Sequence, residues 1–296
     1  MDSLFYLISL VSHFPDFLNE HVLTKLIVFT VLGSIVGQFV NVVVYRLPKV
    51  LNDTLLVDTA EQFPQLISES QLLNQLSGIS LWVGYGDSCL DQNQSWYRKL
   101  PILNWFFHLT AGDSVSTNKA RRKVWIEAGT TCLFGVVSVL YQNPINSALI
   151  AAIGTVLVIV SLIDIETKFI PPVLLVILLI LLITAWDSHL FLTDPSFFSL
   201  LCSAIFVWAA LEVINQFFNH FSGFPVVGGG DIKLLSVLSL ALGIENTLYI
   251  FFISVLLSTV YCHLKKIQGI TSLGQWISGT AFVVLLTVTS DYSFVI

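Results

Sequence analysis

Long apolar runs alternate with short polar segments along most of the chain. The first run extends from about His21 to Val44, enough residues for a helix to cross the hydrocarbon core of a bilayer. After a long polar stretch, apolar runs recur at 124–142, 146–164, 170–187, 197–219, 231–243, 246–264 and 274–290. The run at 231–243 is short, as in a tilted or partly re-entrant segment. The pattern predicts an all-α polytopic membrane protein with about eight transmembrane helices.

The polar segments suggest where these parts begin and end. The N-terminal segment lacks the basic start and the small-residue cleavage site of a signal peptide. Tyr45, Arg46 and Pro48 are interfacial and helix-ending residues, so we expect the first helix to end there. Within that helix, Gly33 and Gly37 have the spacing that lets two helices pack closely. We predict an N-terminal extracytoplasmic or interfacial segment (1–20), a first transmembrane helix (21–46), a loop subdomain (47–123) and a seven-helix membrane domain (124–296).

Composition supports the same class of protein. Hydrophobic residues make up 55% of the chain and charged residues only 11%, with a mean hydropathy of +0.84. A soluble domain of this length is less apolar. The cysteines, Cys89, Cys132, Cys202 and Cys262, form no close pair, so the sequence predicts neither a disulfide framework nor a zinc site.

The lysines and arginines predict the orientation in the membrane. In an eight-span arrangement only Lys25 falls on the outer side. The others all fall on the inner side: Arg46, Lys49, Arg98, Lys99, Lys119, Arg121, Arg122, Lys123, Lys168, Lys233, Lys265 and Lys266. We therefore expect one long cytoplasmic loop after the first helix and both termini outside. The basic cluster at 119–123 is typical of a cytoplasmic membrane boundary, and we expect no nucleic-acid partner.

Two lone acids stand at the ends of separate apolar runs. Asp231 directly follows the glycines 228–230, and Asp164 ends the run at 146–164. In the eight-span arrangement both acids lie at the cytoplasmic face. A carboxylate at the edge of a membrane helix is costly, which favours a functional role, and glycines let another backbone approach closely. The alternative interpretation is that both acids are helix-end residues that face water.

Paired carboxylates can hydrolyse an amide bond without a metal. Two acids that share one proton can activate a water molecule and protonate the leaving amine. We predict that Asp164 and Asp231 are catalytic, that Gly228, Gly230 and Lys233 support the site, and that no metal takes part. Glu166 is expected to be a solvated loop residue and Glu127 a helix-start acid favoured by the helix dipole.

Three blocks resemble the type IV prepilin peptidases, which are membrane aspartyl proteases of the GxGD group. Residues 37–48 resemble the family's first-span signature, with Gln38 in place of the usual serine. The segment from Asp164 to Pro171 resembles the block that holds the first catalytic aspartate, although Pro172 replaces an acid. Residues 228–234 match the block that holds the second. The three blocks occur in the family's order. Glu127 also resembles a family position near the loop, which is the alternative to its interpretation as a helix-start acid.

The resemblance implies a substrate and a place in the cell. Members of the family cut the leader from precursors of type IV pilins or type II secretion pseudopilins, at the cytoplasmic face of the bacterial inner membrane. Proteolysis needs no cofactor, and many members then methylate the new N-terminus with S-adenosylmethionine. The implied partners are therefore these precursors and the lipid bilayer, and the oligomeric state stays open.

Two other functions are compatible with the residues. A transporter or channel could use Asp164 and Asp231 as proton or cation sites, since glycine-broken helices with acids occur there too. A non-catalytic relative that takes part in pilus assembly could also retain both aspartates. Cleavage of a prepilin by membranes that contain the protein distinguishes these possibilities.

The long loop departs from the family's pattern, and this predicts a loop that folds without zinc. Many members carry two CxxC pairs in the loop, whereas this loop has only Cys89. A tetrahedral thiolate site needs four ligands. We expect metal analysis of the purified protein to find no stoichiometric zinc and Cys89→Ser to leave cleavage intact. About one zinc per chain would show that this interpretation of the loop is wrong.

Overall fold

The computed structural model describes residues 22–62, 117–191, 196–222, 227–266 and 272–289. In these residues the protein is all-helical, with one isolated antiparallel bridge between Phe191 and Thr289. The predicted N-terminal segment, and the part of the predicted loop that contains Cys89, lie outside the described residues. The helices are α1 (Val22–Gln62), α2 (Thr117–Leu140), α3 (Pro144–Thr167), α4 (Pro172–Asp187), α5 (Phe197–Ser222), α6 (Gly229–Lys265) and α7 (Gly274–Val288).

The helices are those of a polytopic membrane protein. Five of the described helices contain segments long and apolar enough to cross a bilayer, and α4 and α7 are shorter apolar helices. The fold class predicted from the sequence is therefore confirmed. The number of eight membrane crossings and the four-part division of the chain stay predictions.

The first helix continues beyond the predicted end of its membrane-spanning part. The helix continues through Pro48 to Gln62, although its membrane-spanning part, Val22–Pro48, ends close to the predicted boundary. A proline within a helix removes one backbone hydrogen bond and crowds the preceding turn. A helix can kink at that point and still continue, because the residues on either side keep their own bonds.

The chain divides into two compact units, one of Met1–Gly33 with Thr130–Ile296 and one of Ser34–Gly129. In the second unit, the side-chain amide of Asn41 on α1 donates to the Lys123 carbonyl (3.2 Å) and to Glu127 Oε1 (3.4 Å) on α2. The side chain of Glu127 is buried. This acid is therefore enclosed between two helices, rather than being only a helix-start charge.

In the first unit, α1 and α2 run antiparallel and pack closely. Gly33 lies against α2, where a Cβ atom at this position would be 2.8 Å from the Phe134 Cβ. Eight residues earlier, the buried Lys25 donates from Nζ to the carbonyls of Tyr141 and Gln142, which follow α2. The close packing predicted at Gly33 is confirmed, and the ammonium group of Lys25 satisfies carbonyls beyond the last turn of α2.

Helix α3 is the centre of the first unit. Of its most apolar stretch 61% is buried, against 17% for α5. Its N-terminus is capped by the side chain of Asn143, which accepts from the Ile145 amide, and Pro144 occupies the first turn. Asn143 and Pro144 are residues that favour a helix start. Because α3 packs against α4 and α7, residues in its last turn are held by surrounding helices.

Helix α6 consists of two helical segments joined at Gly243, which has a φ of 75° and a ψ of 173°. A straight helix of this length would be about 55 Å long. Eight residues lie between Lys265 and Gly274, and this connection can span only about 30 Å. Gly274 nevertheless lies beside Asp231 at the start of α6. The helix must therefore bend sharply at Gly243, where glycine tolerates the positive φ. The bend lies at the last residue of the predicted run 231–243, just before the run 246–264.

The packing at Gly33 gives a stability prediction. Gly33→Ala places a methyl group against Phe134 and should destabilise the protein by about 1–3 kcal/mol, the usual cost of overpacking. Thermal unfolding in detergent measures the effect. Gly129→Ala is the control, because Gly129 is also helical but has no atom within 4 Å of the added Cβ. Both variants gain the same helix propensity. Equal unfolding temperatures for the two variants would contradict the close packing.

Candidate active site

Asp164 lies in the last turn of α3, just before the chain leaves the helix. The C-cap residue Lys168 has a left-handed conformation (φ 54°, ψ 30°), and its N–H donates to the Asp164 carbonyl at 2.9 Å. After this turn the chain passes Ile170 and enters α4 at Pro172, a residue that favours the first turn of a helix. The side chain of Asp164 is buried, with 4% of its surface exposed.

Asp231 is the third residue of α6. The helix begins after Gly228, which is its N-cap and has no side chain to act as a cap. The Asp231 carboxylate instead interacts with the backbone of Gly228, as the acid of a capping box does. A Cβ atom on Gly228 would lie 2.9 Å from Asp231 Oδ2. Glycine at this position therefore lets the carboxylate fold back onto the helix start.

Asn215 on α5 holds the segment that leads into α6. Its Nδ2 donates to the Val227 carbonyl at 3.0 Å, and its Oδ1 accepts from the Val227 amide at 3.1 Å. Val227 is buried and directly precedes the three glycines. These two bonds hold a segment that glycine would otherwise leave conformationally free.

The two carboxylates meet at the first residue of α7. A Cβ atom on Gly274 would lie 2.7 Å from Asp164 Oδ2 and 3.1 Å from Asp231 Oδ1. Asp164 Oδ2 and Asp231 Oδ1 thus approach the same backbone position. The separation between these two oxygens cannot exceed the sum of the two distances. The Gln275 amide, also in the first turn of α7, donates to Asp164 Oδ2 at 3.2 Å. Asp231 Oδ1 is buried and has no hydrogen-bond partner among the described residues.

The carboxylates line a cleft of about 230 Å³. Of the side chains around it, Lys168, Lys233 and Phe169 are exposed. Gly230 packs against Ile170, whose Cβ would be 3.2 Å from an added Cβ, whereas an added Cβ on Gly229 would meet nothing within 4 Å. The full lining is Asp164, Lys168, Phe169, Ile170, Pro172, Gly228, Gly229, Gly230, Asp231 and Lys233.

The residues predicted for the site therefore lie together, and their roles stay predictions. Asp164 and Asp231 share the cleft with Gly228, Gly230 and Lys233. Glu166, which was expected outside the site, is only partly as predicted. Glu166 is exposed as expected, but it belongs to α3 and not to a loop. Within the described part of the chain, no three histidine, cysteine or acidic side chains are grouped as metal ligands would be.

The sequence interpretation missed Asn215, Gly274 and Gln275. An asparagine within an apolar run and a glycine that opens one carry no distinguishing pattern. Two of these residues act through backbone groups or through the lack of a side chain. Only the fold brings them to the carboxylates.

Two neighbouring carboxylates are the catalytic groups of aspartic peptidases, and here they lie at the ends of apolar helices. The arrangement is therefore typical of an aspartic peptidase within a membrane protein. Comparison with known families agrees with this class. The profile of the type IV leader peptidase family matches residues 151–263. The profile of the bacterial peptidase A24 N-terminal domain matches residues 31–141. The two matches follow one another along the chain, and both are to parts of bacterial leader peptidases.

Several relatives named prepilin leader peptidase/N-methyltransferase align with most of the chain. The relative from Neisseria gonorrhoeae is 26% identical over 235 residues, 78% of each chain. The one from Pseudomonas aeruginosa is 28% identical over 227 residues, 75% of this chain and 74% of its own. The one from Dickeya chrysanthemi is 26% identical over 282 residues, 91% of this chain and 95% of its own. No solved structure gives a significant match.

The bonds from Asn215 give a prediction about the site's support. Asn215→Ala leaves the buried amide and carbonyl of Val227 without these partners, which should cost about 1–3 kcal/mol of unfolding free energy. Gln216→Ala is the matched control, because among the described residues the exposed Gln216 side chain bonds to Glu212 on its own helix and to no other. This substitution should change stability by about 0.5 kcal/mol or less. Chemical unfolding in detergent compares the two. If both variants behaved like the unsubstituted protein, the bonds to Val227 would not support the site.

Proposed function

We propose that the protein is a membrane aspartic endopeptidase that removes the leader peptide from type IV prepilins or type II secretion pseudopilins. The observation that carries the proposal is the approach of Asp164 and Asp231 to one backbone position beside a cleft that both acids line. The matches to the leader peptidase family models and the printed names of the relatives support this substrate class.

In the proposed reaction the two carboxylates hold one proton between them, because two charges so close repel each other. The charged carboxylate takes a proton from water, and the water oxygen attacks the carbonyl carbon of the scissile peptide bond. The other carboxylate protonates the carbonyl oxygen. When the C–N bond breaks, the leaving amine takes a proton from the dyad. One hydroxyl of the tetrahedral intermediate gives a proton back as it becomes the new carboxyl carbonyl, so the dyad is again singly protonated.

The glycines give a peptide backbone access to the acids. Gly228 and Gly229 are exposed at the cleft, and Gly229 has open space beside its Cα. Side chains at these positions would stand between an extended peptide and Asp231. A backbone without side chains allows close approach, which suits a site that must accept a main-chain carbonyl.

We place this site at the cytoplasmic face of the bacterial inner membrane. The last turn of α3 and the first turn of α6 carry Lys168 and Lys233 beside the acids, and Lys265 and Lys266 end α6. Lys25 lies at the opposite end of α2 from its basic start. This asymmetry follows the rule that lysine and arginine concentrate in cytoplasmic segments.

A transporter is the weaker candidate on the same geometry. Transport sites built from broken helices lie near the middle of the bilayer, whereas Asp164 and Asp231 lie in terminal turns of their helices. A relative that no longer cuts is distinguished by the cleavage assay below.

Methylation of the new N-terminus is proposed from the names of the relatives, which include N-methyltransferase. The methyl donor would be S-adenosylmethionine. The described cleft does not fit this molecule, because its 230 Å³ falls below the roughly 300–1,000 Å³ of pockets for ligands of that size. We therefore derive no step through the donor from the described residues. Transfer of label from methyl-labelled S-adenosylmethionine to the cleaved product measures this activity.

The proposed dyad predicts that neither acid can be replaced. Asp164→Asn and Asp231→Asn should each lower the rate of leader removal by on the order of a thousandfold or more, because one partner can no longer exchange the proton. The measurement is cleavage of a prepilin by membranes that contain equal amounts of each variant.

Glu166→Gln is the matched control for this assay. Glu166 lies two residues from Asp164, on the same helix, but its side chain is exposed and outside the cleft lining. We expect it to retain the activity of the unsubstituted protein. Full activity of either asparagine variant would exclude the dyad, and loss of activity in Glu166→Gln would show that the site includes more of α3.

A further inference from the structure

Helix α7 begins at the two carboxylates and takes its cap from one of them. Its own N-cap residue, Leu273, makes no side-chain hydrogen bond. The first amides of a helix have no partner within the helix and need one from elsewhere. The Gln275 amide finds this partner in Asp164 Oδ2, at 3.2 Å and 111 residues away in sequence. Asp164 thus caps a helix that it does not belong to.

Gly274 leaves the space in which the carboxylates meet. A methyl group there would lie 2.7 Å from Asp164 Oδ2, 2.9 Å from Asp164 Cγ and 3.1 Å from Asp231 Oδ1. Nonbonded carbon and oxygen atoms do not come this close, so at least Asp164 would have to move. The atoms that the methyl group meets are the ends of two side chains and not a backbone. The helices can therefore keep their places while the carboxylates give way.

We propose that Gly274 is a positioning residue of the proposed dyad, a role that rests on the proposed peptidase function. Its missing side chain lets Asp164 reach the Gln275 amide and lets Asp231 Oδ1 face the same point. Gly274 acts through the two acids and takes no part in proton transfer. Any side chain at this position separates the carboxylates or turns them away from each other.

The first arm of the test measures cleavage by Gly274→Ala. Displacing a catalytic group by about 1 Å costs on the order of a hundredfold in rate. We therefore expect kcat to fall by about that factor with little change in KM, because the peptide-binding surface is unchanged. Gly279→Ala is the matched control: Gly279 lies on the same helix, and its added Cβ meets nothing within 4 Å. It should retain the unsubstituted kcat and KM.

The second arm measures the contact itself and does not depend on activity. Thermal unfolding is compared for Gly274→Ala alone and in combination with Asp164→Ala, which removes the carboxylate that the methyl group would meet. We expect Gly274→Ala to lower the unfolding temperature when Asp164 is present and to cause no further decrease when Asp164 is replaced. Neighbouring positions in contact are coupled in this way.

The outcomes separate the two proposals. If the unsubstituted protein cleaves prepilin and Gly274→Ala does so with the same kcat, the positioning role is wrong and the peptidase function stands. A rise in KM without a fall in kcat would also reject positioning in favour of substrate binding. If the unsubstituted protein cleaves no prepilin, the proposed function fails. In that case the unfolding arm still decides whether Gly274 spaces the two carboxylates, since equal decreases with and without Asp164 would reject it.

Discussion

The close approach of two carboxylates at the ends of apolar helices is the constraint on which the site depends. Acids are costly near the membrane interior unless they have partners. Asp164 obtains one from the Gln275 amide, and Asp231 folds back onto the start of its own helix. Each acid thus satisfies part of its hydrogen-bonding need from backbone. Asp231 Oδ1 has no hydrogen-bond partner among the described residues and approaches the same position at Gly274 as Asp164 Oδ2.

The approach requires the end of α3, the start of α6 and the start of α7 to lie next to one another. The packing of the first unit brings these three helix ends together. Asp164 is held in place by the central helix α3. Because α3 is largely buried, the helix has little freedom to shift. Asn215 bonds to the backbone of Val227, directly before α6, and so restricts the conformation of the glycine segment. The bend at Gly243 turns α6 back, so that α7 can start where α6 began. A substitution far from the cleft could therefore alter the distance between the acids.

The sequence predicted the features that depend on local pattern. The long apolar runs gave the all-helical membrane class, and the glycines before Asp231 marked the second acid. It did not predict that α1 continues past Pro48 to Gln62. A proline disturbs one turn of a helix, and the residues on both sides of Pro48 still form helical turns. It could not find Gly274, because that contact joins residues far apart in the chain. It could not find Asn215, because its partners are backbone groups that every residue possesses. Long-range convergence is a property of packing and leaves no local sequence pattern.

The central claim is that Asp164 and Asp231 act as one unit. The most direct measurement compares the residual cleavage rates of Asp164→Asn, Asp231→Asn and the double variant, in purified protein with one prepilin substrate. Residues that act as a unit are strongly non-additive, so removing the second costs little once the first is gone. The account predicts that the double variant is about as inactive as either single variant. Losses that multiply in the double variant would mean that the two acids act independently and would contradict the dyad.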